Sequence, residues 1–155
     1  MVNLDIVSDC LEDLREAGAK NCVCGDARNL PFCDGAFDIV FSKGSLHHCL
    51  PPAQPLQGMV RVLKRGGPIL IAEPGRSMGQ SSPYHRSPYE DAVSPSEIIA
   101  ILNKQGVSGL QRGTLSHAPP GTPRPLASLW ERLGRAMPGL FRYFAFEFMI
   151  WGMKS

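Results

Sequence analysis

The sequence predicts an α/β fold: a mostly parallel sheet with helices on both faces. Two observations carry that expectation. Short apolar runs rich in β-branched residues alternate with segments of helical period almost from the first residue. Acidic residues also stand at the ends of several of those runs, as Asp5 follows Val2 to Leu4 and Glu73 follows Ile69 to Ala72.

Val2 to Val7 reads as a short strand carrying Asp5. Asp9, with Glu12 three residues on, marks a helix start, and Cys10, Leu11, Leu14 and Ala17 fall at helical spacing before Gly18 stops the run. Asn21 to Gly25 is a second strand, and Asp26 to Phe32 leaves it as a loop. Phe37 to Ser42 has the bulky content of a buried third strand. Pro51, Pro52 and Pro55 bar a continuous helix before about residue 54, after which Leu56, Met59, Val60 and Leu63 share a face. Gly66-Gly67 ends it, and Pro68 to Glu73 is the fourth strand.

Residues 75–93 are rich in Gly, Ser, Pro and Tyr without a period, and read as an irregular, lid-like loop. Ser94-Pro95-Ser96-Glu97 then combines a cap, a proline at the first helical position and an acid that closes a capping box. Ile98, Ile99, Ile101 and Leu102 supply that helix with a buried face. Gly106 to Ser116 is a weak strand and 118–125 a proline-rich loop. Leu126 to Met137 is a helix, and Tyr143 to Met153 a closing strand with Phe144, Phe146, Phe148 and Ile150 on one face.

With 155 residues, the chain is sized for a single domain over 1–155. A net charge of +2 with dispersed cations excludes a clustered nucleic-acid footprint. No window is long and apolar enough to span a bilayer, so no membrane partner is expected. The N-terminus lacks the features of a signal peptide, which points to the cytoplasm. Cys10, Cys22, Cys24, Cys33 and Cys49 are odd in number and lack paired CxxC spacing, so neither a disulfide framework nor a metal site is expected.

Five short runs occur in order: Gly25-Asp26-Ala27-Arg28-Asn29-Leu30-Pro31-Phe32, Phe37-Asp38-Ile39-Val40-Phe41, Leu46-His47-His48, Arg61-Val62-Leu63-Lys64-Arg65-Gly66-Gly67 and Ile71-Ala72-Glu73-Pro74. Together they resemble the motif series of class I S-adenosylmethionine-dependent methyltransferases of the small-molecule, type 11-like kind. The resemblance implies a Rossmann-like sheet, S-adenosylmethionine as cofactor and methyl transfer to a small-molecule acceptor. It places Asp5, with Ile6 beside it, at the ribose hydroxyls, Asp26 and Ala27 at the adenine, and Ser42 on the pocket floor.

His47 and His48 are the candidate catalytic residues, since a base helps only where the acceptor loses a proton. Their other reading is structural packing. The family's first strand and glycine-rich loop have no counterpart here, so the expected chain is an N-terminally truncated domain. Its alternative function is that of a catalytically inactive remnant acting as a binding module. The strands of Asp5 and Ile39 would then pair directly, be bridged by a complementing chain, or leave the domain unstable; a homodimer is a further expectation.

Overall fold

The computed structural model describes residues 1–74, 93–116, 123–137 and 147–155. In chain order these form β1 (Asn3–Asp5), α1 (Ser8–Glu16), β2 (Cys22–Cys24), β3 (Val40–Lys43), α2 (Ala53–Val62), β4 (Pro68–Pro74), α3 (Pro95–Lys104), β5 (Val107–Ser116), α4 (Arg124–Ala136) and β6 (Glu147–Lys154). Two 3₁₀ turns, Ala27–Asn29 and Leu46–His48, follow β2 and β3. The expected lid-like loop lies outside the described residues except for Val93, as do 117–122 and 138–146. No described helix is long and apolar enough to cross a membrane.

The strands form two sheets rather than one. β1 pairs in parallel with β2, and a four-stranded sheet runs β3-β4-β6-β5. β3 and β4 are parallel, whereas β6 runs antiparallel to both β4 and β5, so the larger sheet is mixed. Among the described residues β1 and β3 are not paired, which removes direct pairing from the three expected arrangements.

One layer is well packed. Leu56, Met59 and Val60 of α2 and Ile98 and Leu102 of α3 form a core with Ile69, Ile71, Phe148 and Ile150 from one face of the large sheet. The period-2 pattern of β6 is therefore real for Phe148 and Ile150, while Phe144 and Phe146 lie outside the described residues. β6 also closes α2: Lys154 Nζ donates to the carbonyls of Val60 at 2.8 Å and Leu63 at 2.7 Å. Those carbonyls have no partner inside the helix, and a cation suits their end of the dipole.

Several local expectations are corrected. Asp9 is not the cap of α1: the helix begins at Ser8, its N-cap is Val7, and Asp9 lies in the first turn. Of the four apolar positions expected to be buried there, only Leu11 is, because a two-stranded sheet gives α1 little to pack on. Ser94 caps α3 with its backbone geometry but makes no side-chain cap bond; its hydroxyl lies 2.7 Å from that of Ser96. β3 is shorter than expected, with Phe37 joined to Leu63 by a single bridge, and it is not a fully buried strand.

Candidate functional site

In parallel arrangements the carboxyl ends of strands are where backbone and acidic side chains meet a ligand. β1 ends on Asp5, whose Oδ1 accepts from the Val7 N–H at 2.9 Å. Its carbonyl accepts from Gly25 N–H at 2.9 Å, and this bond carries the end of β1 to the turn containing Asp26. Ile6, next to Asp5, is exposed.

Asp26 is engaged by its own neighbour. Oδ1 accepts from the Arg28 backbone N–H at 2.8 Å and Nε at 3.0 Å, and Oδ2 accepts from Nε at 3.0 Å and Nη2 at 2.6 Å. These hydrogen bonds hold the Asp26 carboxyl below the usual carboxylate range. Four lone-pair sites receive four contacts, so Asp26 has none to spare while Arg28 stays in place. Ala27 opens the 3₁₀ turn, and Gln54 Nε2 donates to Arg28 O at 3.0 Å, tying that turn to α2.

After β3, Leu46 enters the core fully buried. Its placement divides the two histidines: His47 is turned inward and His48 outward. Their rings stay close, with centroids 3.9 Å apart. Glu73, at the end of β4 and only 1% exposed, faces His47. Its Oε1 accepts from the backbone N–H groups of Ser45 at 3.0 Å and Leu46 at 2.9 Å, and Oε2 lies 2.8 Å from His47 Nδ1. An ionised carboxylate only accepts, so in the neutral imidazole this geometry puts the proton on Nδ1 and the lone pair on Nε2.

Glu73 is the residue whose role sequence reasoning missed. Noted in the sequence only as an acid at a strand end, it is buried and orients the imidazole. The signal was present: a charge at the end of an apolar strand needs a partner when it is buried, and His47 and His48 stand after the neighbouring strand.

Cys49, next along the chain from His48, is half-buried. Burial pushes the Cys49 thiol up, and the charges of Asp26 and Glu73 push in the same direction, against Arg28. Cys49 is therefore expected to react more slowly with a thiol reagent at neutral pH than the exposed Cys10, Cys24 and Cys33. Mass-spectrometric timing of iodoacetamide labelling checks this; labelling of Cys49 first would contradict the packing.

Ser42 lies apart from the rest. It is buried in β3, and its Oγ has no hydrogen-bond partner among the described residues. The described groove of about 410 Å³, lined by Arg28, Gln54, Gln57, Arg61 and Gln105 among others, contains none of Asp5, His47 or Glu73. The strand ends, where the titratable groups converge, define the site better than that groove does. No described group of three or more His, Cys, Asp or Glu could hold a metal ion.

Comparison with known proteins agrees with the motif series. A family model described as a methyltransferase domain matches residues 1–71. A demethylmenaquinone methyltransferase from Paenarthrobacter aurescens is 43% identical over 51 residues, covering 33% of this chain and 20% of its own. The ubiquinone/menaquinone biosynthesis C-methyltransferase of Haemophilus ducreyi is 37% identical over 70 residues, covering 45% and 27%. The chain thus spans less than half the length of the curated relatives that it matches.

Among solved structures, a SAM-dependent methyltransferase from Thermotoga maritima superposes with a TM-score of 0.72 at 17% identity, over 98% of this chain and 72% of that one. Phosphoethanolamine N-methyltransferase 2 of Haemonchus contortus, in complex with S-adenosyl-L-methionine, gives 0.65 at 18% identity over 97% and 42%. At these identities the superpositions establish the Rossmann-like fold.

Proposed function

We propose that this chain, whose residues 1–71 match a methyltransferase-domain model, is a class I S-adenosylmethionine-dependent methyltransferase that directs methyl transfer to a small-molecule acceptor that must lose a proton. The observation that supports this most is the buried Glu73–His47 pair at the carboxyl ends of β3 and β4. An imidazole held by a carboxylate at Nδ1 presents Nε2 as a base, which serves an acceptor with an acidic O–H, N–H or activated C–H. The quinone-pathway names of the matched relatives suit an activated ring carbon of that kind.

The cofactor supplies an electrophilic methyl group on a sulfonium. The chain's own residues would bind and orient it. Asp5 keeps Oδ2 for ribose hydroxyls while Oδ1 is used by Val7. Ile6 offers an exposed apolar surface beside it. Asp26 can reach an exocyclic amine once Arg28 releases it; the cost is small because the ion pair is solvent-exposed and screened. Ala27 contributes backbone at the same turn, and Ser42 would floor the pocket with its backbone, since its side chain is buried on the face of Ile71. His48, exposed beside His47, would face the acceptor rather than hold the base. The free cysteines fit a reducing cytoplasm.

Methyl transfer from isotopically labelled S-adenosylmethionine to a short-chain demethylnaphthoquinol is the direct test. Label in the extracted quinol fraction, lost in His47→Ala, supports the reading. Label found only on added protein or nucleic acid would overturn the acceptor class. Arg28→Ala is expected to leave affinity for S-adenosylhomocysteine unchanged or tighten it a few-fold, whereas Asp26→Ala weakens it about tenfold, the loss of one hydrogen bond to a charged group. Calorimetric titration of both variants checks this.

A second reading has its own support. The β1–β2 pair and the four-stranded sheet share no strand pairing among the described residues. A chain whose adenosine-binding and base-bearing parts are not held in one sheet suits a binding module that does not transfer the methyl group.

A further inference from the structure

The two faces of the large sheet differ. On one, Ile69, Ile71, Phe148 and Ile150 are buried under α2 and α3. On the other, Phe41, Leu70 and Trp151 form a row across three strands. Phe41 is 59% exposed, Ile39 just before β3 is 60% exposed and Met153 is 46% exposed. Leu70, Met149 and Trp151 are half-buried. A sheet containing a parallel pair ordinarily has both faces covered, and an apolar row of this length marks a binding face.

The same chain carries a surface of matching kind. At 100° per residue, Leu129, Leu133 and Leu126 fall on one arc of about 60° along α4, opposite Arg124 and Arg135. Leu126 is 58% and Leu129 52% exposed, and α4 packs closely against none of the other described elements. A helix of 13 residues is about 20 Å long, and four strands about 4.8 Å apart and some six residues long make a face of about 20 Å by 20 Å. One helix therefore fits along that face.

We propose that two copies of this chain pair about a two-fold axis, each laying the apolar stripe of its α4 across the sheet face of the other that no described helix covers. One helix-on-sheet contact falls short of the roughly 800 Å² per partner of a stable interface; the two-fold axis doubles it and closes the assembly. The arrangement is independent of the methyl-transfer reading, since neither surface includes Asp5, Asp26, His47 or Glu73.

Sedimentation equilibrium over a dilution series, with Phe41→Asp and Leu129→Asp variants, tests it. Both positions are exposed, so each variant is expected to keep the wild-type far-UV circular dichroism. The wild type is expected to be a dimer and each variant alone a monomer. An equimolar mixture of the two variants is expected to stay largely monomeric, because it restores only one of the two helix-on-sheet contacts. A monomeric wild type at all concentrations overturns the proposal. So does a dimer indifferent to either substitution, and so does a mixture that pairs as tightly as the wild type. Open-ended oligomers would contradict the closed pair.

Discussion

Glu73→Gln is expected to leave the chain folded while cutting methyl transfer to a proton-losing acceptor by about 10²- to 10⁴-fold in kcat, the range of general-base contributions. Gln keeps a carbonyl oxygen that can accept from Ser45 and Leu46 N–H, as Glu73 Oε1 does. Its amide nitrogen, placed where Oε2 stood 2.8 Å from His47 Nδ1, donates instead of accepting. The imidazole must then carry its proton on Nε2, and the base is lost without loss of packing. Long-range proton–nitrogen correlation should show His47 as the Nδ1–H tautomer in the wild type and the Nε2–H tautomer in the variant. KM should change little, since the acceptor's contacts are untouched. Equal turnover by both proteins, with the tautomer switched as expected, would remove His47 from the chemistry and leave the pair as a brace for the Leu46–His48 turn.

The second large effect is on stability. Gly67→Ala is expected to lower stability by about 3 kcal/mol, the upper part of the range for overpacking, and to reduce Tm by roughly 6–12 °C for a chain of this size. A Cβ at Gly67 would stand 2.6 Å from the Asp38 carbonyl oxygen, 2.7 Å from Leu63 Cδ1 and 3.0 Å from the Lys64 carbonyl oxygen. Two of those neighbours are backbone and cannot rotate away. The adjacent glycine separates this cause from conformational freedom. Gly66 has φ of +74° and open space around its Cα, so Gly66→Ala costs only the left-handed strain, about 1 kcal/mol. Paired thermal melts check both; equal shifts for the two variants would contradict the close approach at Gly67.

Most of the element order was legible because it rests on local chemistry. Pro95 at the first position of α3, Gly18 after α1, and the apolar run Ile69 to Ala72 of β4 each act through their own backbone or nearest turn. What could not be read depended on partners distant in sequence. Ile39 and Phe41 have the composition of a buried strand, yet whether a layer covers them is a tertiary fact. The antiparallel insertion of β6 between β4 and β5 is likewise set by contacts across the chain.

The site follows the same division. Asp5 and Asp26 were singled out from their places at strand ends together with the motif resemblance. Arg28's hold on Asp26 was within reach, being two residues away, but a flexible side chain has many other options. Glu73 and His47 are 26 residues apart, and only the parallel register of β3 and β4 puts their ends side by side.

The central claim is that this chain binds S-adenosylmethionine at the ends of β1 and β2. Isothermal titration of the 155-residue chain with S-adenosylmethionine, S-adenosylhomocysteine and adenosine tests it most directly. Saturable binding of the first two, weakened about ten- to hundredfold by Asp5→Ala through loss of a charged hydrogen-bond acceptor, is the predicted result. A cooperatively folded chain that binds none of the three would contradict it.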